Sequence, residues 1–103
     1  MDSETIAMTL IAHSGDARTL AFQALAAAKK NDFAEAERLM AESEKSSVEA
    51  HKGQTELLFA EANGKKTEMN VLLVHAQDHL MTSMLAQEMI REMIDLYKVK
   101  ADK

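Results

Sequence analysis

The residues best suited to chemistry stand together in the run Val74-His75-Ala76-Gln77-Asp78-His79-Leu80. On a helix, His75, Asp78 and His79 occupy i, i+3 and i+4, so two imidazoles and a carboxylate share one surface within about one turn. The plainest reading of such a cluster is no chemistry at all, only polar side chains on a solvated helix. A second is metal binding, because His pairs at i, i+4 hold transition metals. Yet Ala76 stands where a zinc protease needs Glu, and the chain has no Glu-x-x-His of the kind di-iron bundles use. The third is nucleophilic. An imidazole is neutral and nucleophilic near pH 7, and its phosphorylated form remains a good donor, so one accessible His suffices for a relay. Gln77, two residues from His75, points away from it on such a helix. His13 and His51 are expected to be structural or solvated, and His51-Lys52-Gly53 lacks the gap of a His-x-x-Lys-Gly motif.

The elements that must position this cluster follow from composition and period. The chain has 103 residues, 47% hydrophobic, with no Pro, Cys or Trp and three Gly. Its bulk comes from seventeen Ala, eleven Leu and eight Met, with few β-branched residues, which favours an all-α fold. The length suits a single domain, 1–103. Ile6, Leu10, Ala17, Ala21, Ala24 and Ala28, flanked by Leu20 and Leu25, predict a helix over about 4–30. Asn31-Asp32 ends it, and Asp32 with Glu35 forms a capping-box-like start for a second helix over about 33–62. The second helix carries Ala36, Leu39, Met40, Ser43, Ser47, Ala50, Gln54, Leu57 and Leu58 on one stripe. Asn63-Gly64 is the strongest turn signal, and Thr67 can cap a third helix over about 67–98.

That third helix has two apolar stripes. Met69, Leu72, Leu73, Ala76, Leu80, Ser83, Met84, Ile90, Ile94 and Tyr97 suit packing within an antiparallel three-helix bundle. Val71, Val74, Met81, Leu85, Met89 and Leu96 point another way, and a helix apolar on two sides is buried on two sides. Third helices of several subunits are therefore expected to meet. Asp78 falls inside this second stripe, where a charge is costly unless compensated. Lys98, Lys100 and Lys103 suit the negative pole of the helix dipole.

A net charge of −5 gives no field for a phosphate backbone, so nucleic acid is not an expected partner. Met1-Asp2-Ser3-Glu4 lacks the basic start of an export signal, and no apolar run approaches the roughly 20 residues of a membrane span. A cytoplasmic location without membrane insertion is the expectation.

The string His75-Ala76-Gln77-Asp78-His79-Leu80-Met81-Thr82-Ser83-Met84 resembles the signature of the enzyme IIA components of the bacterial phosphoenolpyruvate:sugar phosphotransferase system, lactose and cellobiose (N,N'-diacetylchitobiose) class. Ser14-Gly15-Asp16-Ala17-Arg18-Thr19-Leu20-Ala21 is similar to that family's first helix, and Asp32-Phe33-Ala34-Glu35-Ala36 to its first turn. The resemblance covers essentially the whole chain. It implies a homotrimer with a nine-helix core and third helices around a threefold axis. It matches the family's phosphorylated histidine to His75 and its buried axial aspartate to Asp78. A divalent cation on the axis would be held by Asp78 of each subunit, and oxygen ligands suit Mg²⁺ better than a soft metal. His79 and Gln77 match positions beside the phosphoryl site, His79 as a donor to phosphoryl oxygens and Gln77 through the trimer interface. The implied activity is that of a phosphocarrier. His75 takes a phosphoryl group from phosphorylated HPr and passes it to a cysteine of a IIB protein during uptake of a disaccharide such as cellobiose, chitobiose or lactose. The rival from another class is a non-catalytic helical oligomerisation module with a His/Asp metal site.

Overall fold

Capping residues divide the chain into its elements. In the computed structural model, which describes residues 2–103, three helices form: α1 (Ser3–Lys29), α2 (Phe33–Ala62) and α3 (Val71–Ala101). The Asp2 carboxylate accepts from the Thr5 N–H at 2.7 Å and starts α1. Asn31 adopts φ 62°, the left-handed conformation that a short polar side chain tolerates, and turns the chain into α2. Asp32 then accepts from the Glu35 N–H at 3.2 Å. The reciprocal half of a capping box is not made, because the Glu35 carboxylate pairs with Arg38 instead. After α2, Gly64 takes the left-handed turn at φ 83°.

The third helix starts later than the sequence suggested. Asn70, extended at φ −145° and ψ 172°, accepts from the Leu73 N–H at 2.8 Å and is the true cap. Asn outranks Thr at this position, and Thr67 stays in the connection, where its N–H donates to Glu61 at 3.3 Å. Met69 therefore precedes the helix and is exposed rather than part of the core stripe. At its other end α3 continues past residue 98 to Ala101.

The bundle is a rod of 56 × 20 × 19 Å. α1 is its spine, packed along both other helices, whereas α2 and α3 touch each other far less. α2 runs antiparallel to α1 and α3 parallel to it. One core cluster joins Ile6, Leu10, Ala50, Leu57, Leu73 and Leu80 at one end. A second joins Ala21, Ala24, Ala28, Ala36, Met40 and Ile94 at the other. Between them lies a buried polar layer. The Ser43 hydroxyl donates to the Ala17 carbonyl at 2.6 Å, the Ser83 hydroxyl to the Ser14 carbonyl at 2.8 Å, and Gln87 Nε2 to Ser43 Oγ at 2.9 Å. Serine is small enough for close helix approach, and its hydroxyl ties three helices at one height. Beside the alanine cluster, Arg91 grips Glu37 bidentately at 2.7 and 3.0 Å, and Lys98 joins the same carboxylate at 2.7 Å.

The first helix's apolar series is buried as the period predicts. In the second series Leu58 is an exception, 57% exposed beside the equally outward Phe59. No helix among the described residues is long and apolar enough to cross a membrane.

Candidate functional site

α3 brings His75 and His79 together. Their Nε2 atoms lie 3.1 Å apart and the rings meet edge to face, centroids 4.5 Å apart, so the i, i+4 spacing closes into a direct imidazole–imidazole hydrogen bond. A neutral pair holds one hydrogen between these two nitrogens, so one ring donates and the other accepts with its lone pair. His75 is exposed and His79 half-buried. Their backbone is fixed from behind, because Ala76 and Leu80, the residues after each histidine, are buried in the same core cluster. One turn further on, the Thr82 hydroxyl donates to the Asp78 carbonyl at 2.7 Å, so it serves the helix backbone rather than the rings.

Asp78 belongs to a different surface. At about 100° per residue it stands roughly 60° round the helix from His75, on the side away from His79. It is exposed, has no ion-pair partner among the described residues, and sits among exposed Val74, Met81 and Leu85. The second apolar stripe is thus real: Val71, Val74, Met81, Leu85, Met89 and Leu96 are all exposed, Val71 at 87%. Within one chain the His75-Asp78-His79 run does not bring its three side chains to one point. Among the described residues no group of three or more His, Cys, Asp or Glu side chains is placed to hold an ion. The i+3 carboxylate turns away from the imidazole pair, so the three side chains that share a turn in the sequence do not share a surface within one chain. Among the described residues Asp78 has no group of neighbouring ligands with which to share a cation. An oxygen donor such as the Asp78 carboxylate suits a hard divalent ion better than a soft one.

Gln77 lies on the opposite flank of α3 from the histidines. It lines a small groove against α2 with Gln54, Leu57 and Leu73, near the α2–α3 connection. His13 lines a shallow groove formed by Asp2 and residues of α1, and neither His75 nor His79 lines it. His51 faces a groove of about 750 Å³ between α2 and α3, with Val48, Lys52, Phe59, Met84 and Gln87. His51, expected to be structural or solvated, is exposed at this groove. A signal was present, since Val48 and Phe59 put two further apolar side chains on the outward face of α2 around it.

One surface of α3 therefore offers an accessible imidazole hydrogen-bonded to a second one, and the adjoining surface an uncovered apolar stripe with a lone carboxylate. Residues 5–98 match the family described as the lactose/cellobiose-specific IIA subunit of the sugar phosphotransferase system. The chain is 50% identical, over 95% of its length and 85% of the relative's, to the N,N'-diacetylchitobiose-specific EIIA component of Escherichia coli K12. Its fold matches a crystal structure of the cellobiose-specific enzyme IIA from Bacillus anthracis with a TM-score of 0.96 and 47% identity, covering 100% of this chain and 94% of that one. It also matches a chain in the solution structures of the IIA(chitobiose)–HPr complex of Escherichia coli, with a TM-score of 0.84, 46% identity and 98% of both chains covered.

Proposed function

Because the chain belongs to the lactose/cellobiose-specific IIA subunits of the phosphotransferase system, we propose that it is a cytoplasmic phosphocarrier in which His75 accepts a phosphoryl group from phosphorylated HPr and passes it to a cysteine of a cognate IIB protein. The observation that carries this reading is the accessible His75 ring paired to His79 through Nε2.

The pair suggests how each ring acts. For Nε2 of His75 to attack, it must hold a lone pair, so His75 keeps its hydrogen on Nδ1 and His79 is the Nε2–H donor. The lone pair leaves that hydrogen bond and attacks phosphorus. The N–P bond to the donor histidine breaks, and its electron pair leaves with the donor imidazole. The hydrogen that His79 had offered to the lone pair then turns to a phosphoryl oxygen, a charge-assisted bond. In the second step the IIB thiolate attacks phosphorus and the pair returns to His75. Positioning and charge stabilisation are most of what phosphoryl transfer asks of a protein, so this small set of groups is adequate. The sugar served, a disaccharide of the cellobiose, chitobiose or lactose type, need not touch this subunit.

The working form is a homotrimer with a nine-helix core, supported by the uncovered stripe of α3. Leaving these side chains in water would forgo about 1.5 to 3 kcal/mol for each one that a neighbour could bury. Three Asp78 carboxylates would then approach the axis, where a divalent cation such as Mg²⁺ would be held by Asp78 of each chain and would neutralise their repulsion. Incubation with enzyme I, HPr and phosphoenolpyruvate carrying a labelled phosphoryl group should place acid-labile label on the chain. His75→Ala should abolish it. Full labelling of His75→Ala, or a monomer on sedimentation at micromolar concentration, would break the corresponding half of the proposal.

A further inference from the structure

Toward the end of the rod where Ala21, Ala24 and Ala28 form the core, the outward side of α3 becomes acidic. Glu88, Glu92 and Asp95 are exposed there, and Glu92 lies on the apolar stripe itself, between Met89 and Leu96. Among the described residues neither Glu88 nor Glu92 has an ion-pair partner. Asp95 reaches Arg91 at 3.9 Å, but Arg91 is already engaged by Glu37 at 2.7 Å. In the trimer proposed above, on which this inference rests, every copy brings these carboxylates to the contact between α3 helices. Like charges at close range oppose assembly unless cations face them.

The opposite edge of the same helix supplies cations. At about 100° per residue, Glu88 and Asp95 stand roughly 60° to 80° from the centre of the stripe on the side facing α2, and Lys100 stands roughly 60° from it on the side facing α1. There Lys100 and Lys29, the latter in the last turn of α1, rim a groove of about 460 Å³ with Leu25, Met93, Leu96 and Tyr97. Neither lysine has an ion-pair partner among the described residues. Arg91 and Lys98 are turned further round the helix, to Glu37. One edge of α3 is thus acidic and the other basic, with exposed Leu85, Met89, Leu96 and Val99 between them. Within one helix the two edges do not meet, because residues five apart stand roughly 140° apart around it. Between parallel copies in a closed ring they do, since such a ring is heterologous and one edge of each copy faces the other edge of the next. Five residues rise about 7.5 Å, and a long side chain on a helix leans toward its N-terminus, so Lys100 reaches back toward the height of Asp95. An antiparallel pairing of two stripes would instead set acidic edge against acidic edge.

We propose that the groove between the C-terminal ends of α1 and α3 receives the acidic edge of α3 from a second copy of this chain, with Asp95 of that copy held between Lys29 and Lys100. Charges flanking an apolar seam set the orientation and register of helices that meet along it. Here they hold the α3 helices parallel and in step, while the apolar side chains between them supply the burial. Met93 and Leu96, 38% and 68% exposed in one chain, give the groove its apolar wall.

Exchanging the charges tests the pair. In sedimentation equilibrium at low salt, Asp95→Lys and Lys100→Asp should each weaken the trimer about 10- to 100-fold, summed over its contacts, and the chain carrying both should recover most of that loss. The neutral variants Asp95→Asn and Lys100→Gln, which leave Arg91 undisturbed, should each cost about 3- to 10-fold, and the chain carrying both should be no weaker than Asp95→Asn alone. In about 1 M salt the variants and the parent should converge. All these positions are exposed, so helix content by circular dichroism should not change. Single variants as tightly associated as the parent, or doubly substituted chains that lose the sum of the two single effects, overturn the pairing and leave the trimeric phosphocarrier standing. A parent that sediments as a monomer overturns the pairing and the trimer together.

Discussion

On the His75 side of the serine layer the core is filled by Ile6, Leu10, Leu57, Leu73 and Leu80, whereas beyond that layer Ala21, Ala24, Ala28 and Ala36 line the space between helices. The difference continues outward. At the alanine end a short turn through Asn31 joins α1 to α2, and Glu37 with Arg91 and Lys98 ties α2 to α3. At the leucine end a longer connection, 63–70, joins α2 to α3, and the groove opens between them with Val48 and Phe59 uncovered. Small side chains and a charged clamp close one half on itself. The other half leaves a cleft and an apolar face unsatisfied, and it is the half that holds the imidazole pair.

Mutations in the two cores should fail for opposite reasons. Leu10→Ala, at a fully buried position, should cost about 2 to 5 kcal/mol by opening a cavity, while Ala24→Leu should cost about 1 to 3 kcal/mol by overpacking the alanine end. Urea unfolding of both variants measures this. If Ala24→Leu is neutral, the close approach attributed to that end is wrong. Next in size is the boundary itself. Ser43→Ala removes the acceptor of Gln87 and the donor to Ala17, and should cost about 1 to 3 kcal/mol in the same assay. A loss confined to a few tenths would mean that the layer is not a joint between the halves.

The smallest effect belongs to the clamp. Hydrogen bonds from Arg91 and Lys98 hold the Glu37 carboxyl down at about 2 from its usual 4.5. A depressed carboxyl stabilises the fold above its unfolded value and loses that contribution as pH falls through the folded one. The stability gap between parent and Glu37→Gln should therefore be constant above about pH 4.5 and shrink between 4.5 and 2. Partial exposure limits the gap to about 1 kcal/mol. Labelling of His75 should be unchanged in this variant, since the clamp lies at the far end of the rod.

Much of this architecture was legible in the residues. Asn31-Asp32 and Asn63-Gly64 marked two helix ends because each carries a residue able to turn left-handed. The start of α3 was misread at Thr67 because Thr67 and Asn70 are both competent caps, and Met69 extended the apolar period one turn too early. The pairing of His75 with His79 follows from i, i+4 spacing. The divergence of Asp78 from that pair depends on a rotation of tens of degrees that a shared-turn argument does not resolve. Leu58 continues the stripe of Leu57 in sequence, but its side chain lies on the lip of the groove against Leu73 and Gln77 and is left 57% exposed. The Glu37–Arg91–Lys98 clamp joins residues far apart in the chain, and no local pattern announces it.

Three is an odd number of helices, and α1 and α3 point the same way. The two ends of the chain consequently leave the bundle at opposite ends of a 56 Å rod. A domain joined after Lys103 would emerge at the alanine end, remote from His75, and would leave the approach of docking proteins clear. One joined ahead of Asp2 would emerge beside Ile6 and Leu73, close to the imidazole pair, and would compete for the same space. Fusions, tags and tethers to other carriers therefore have a permissive end and an obstructive one.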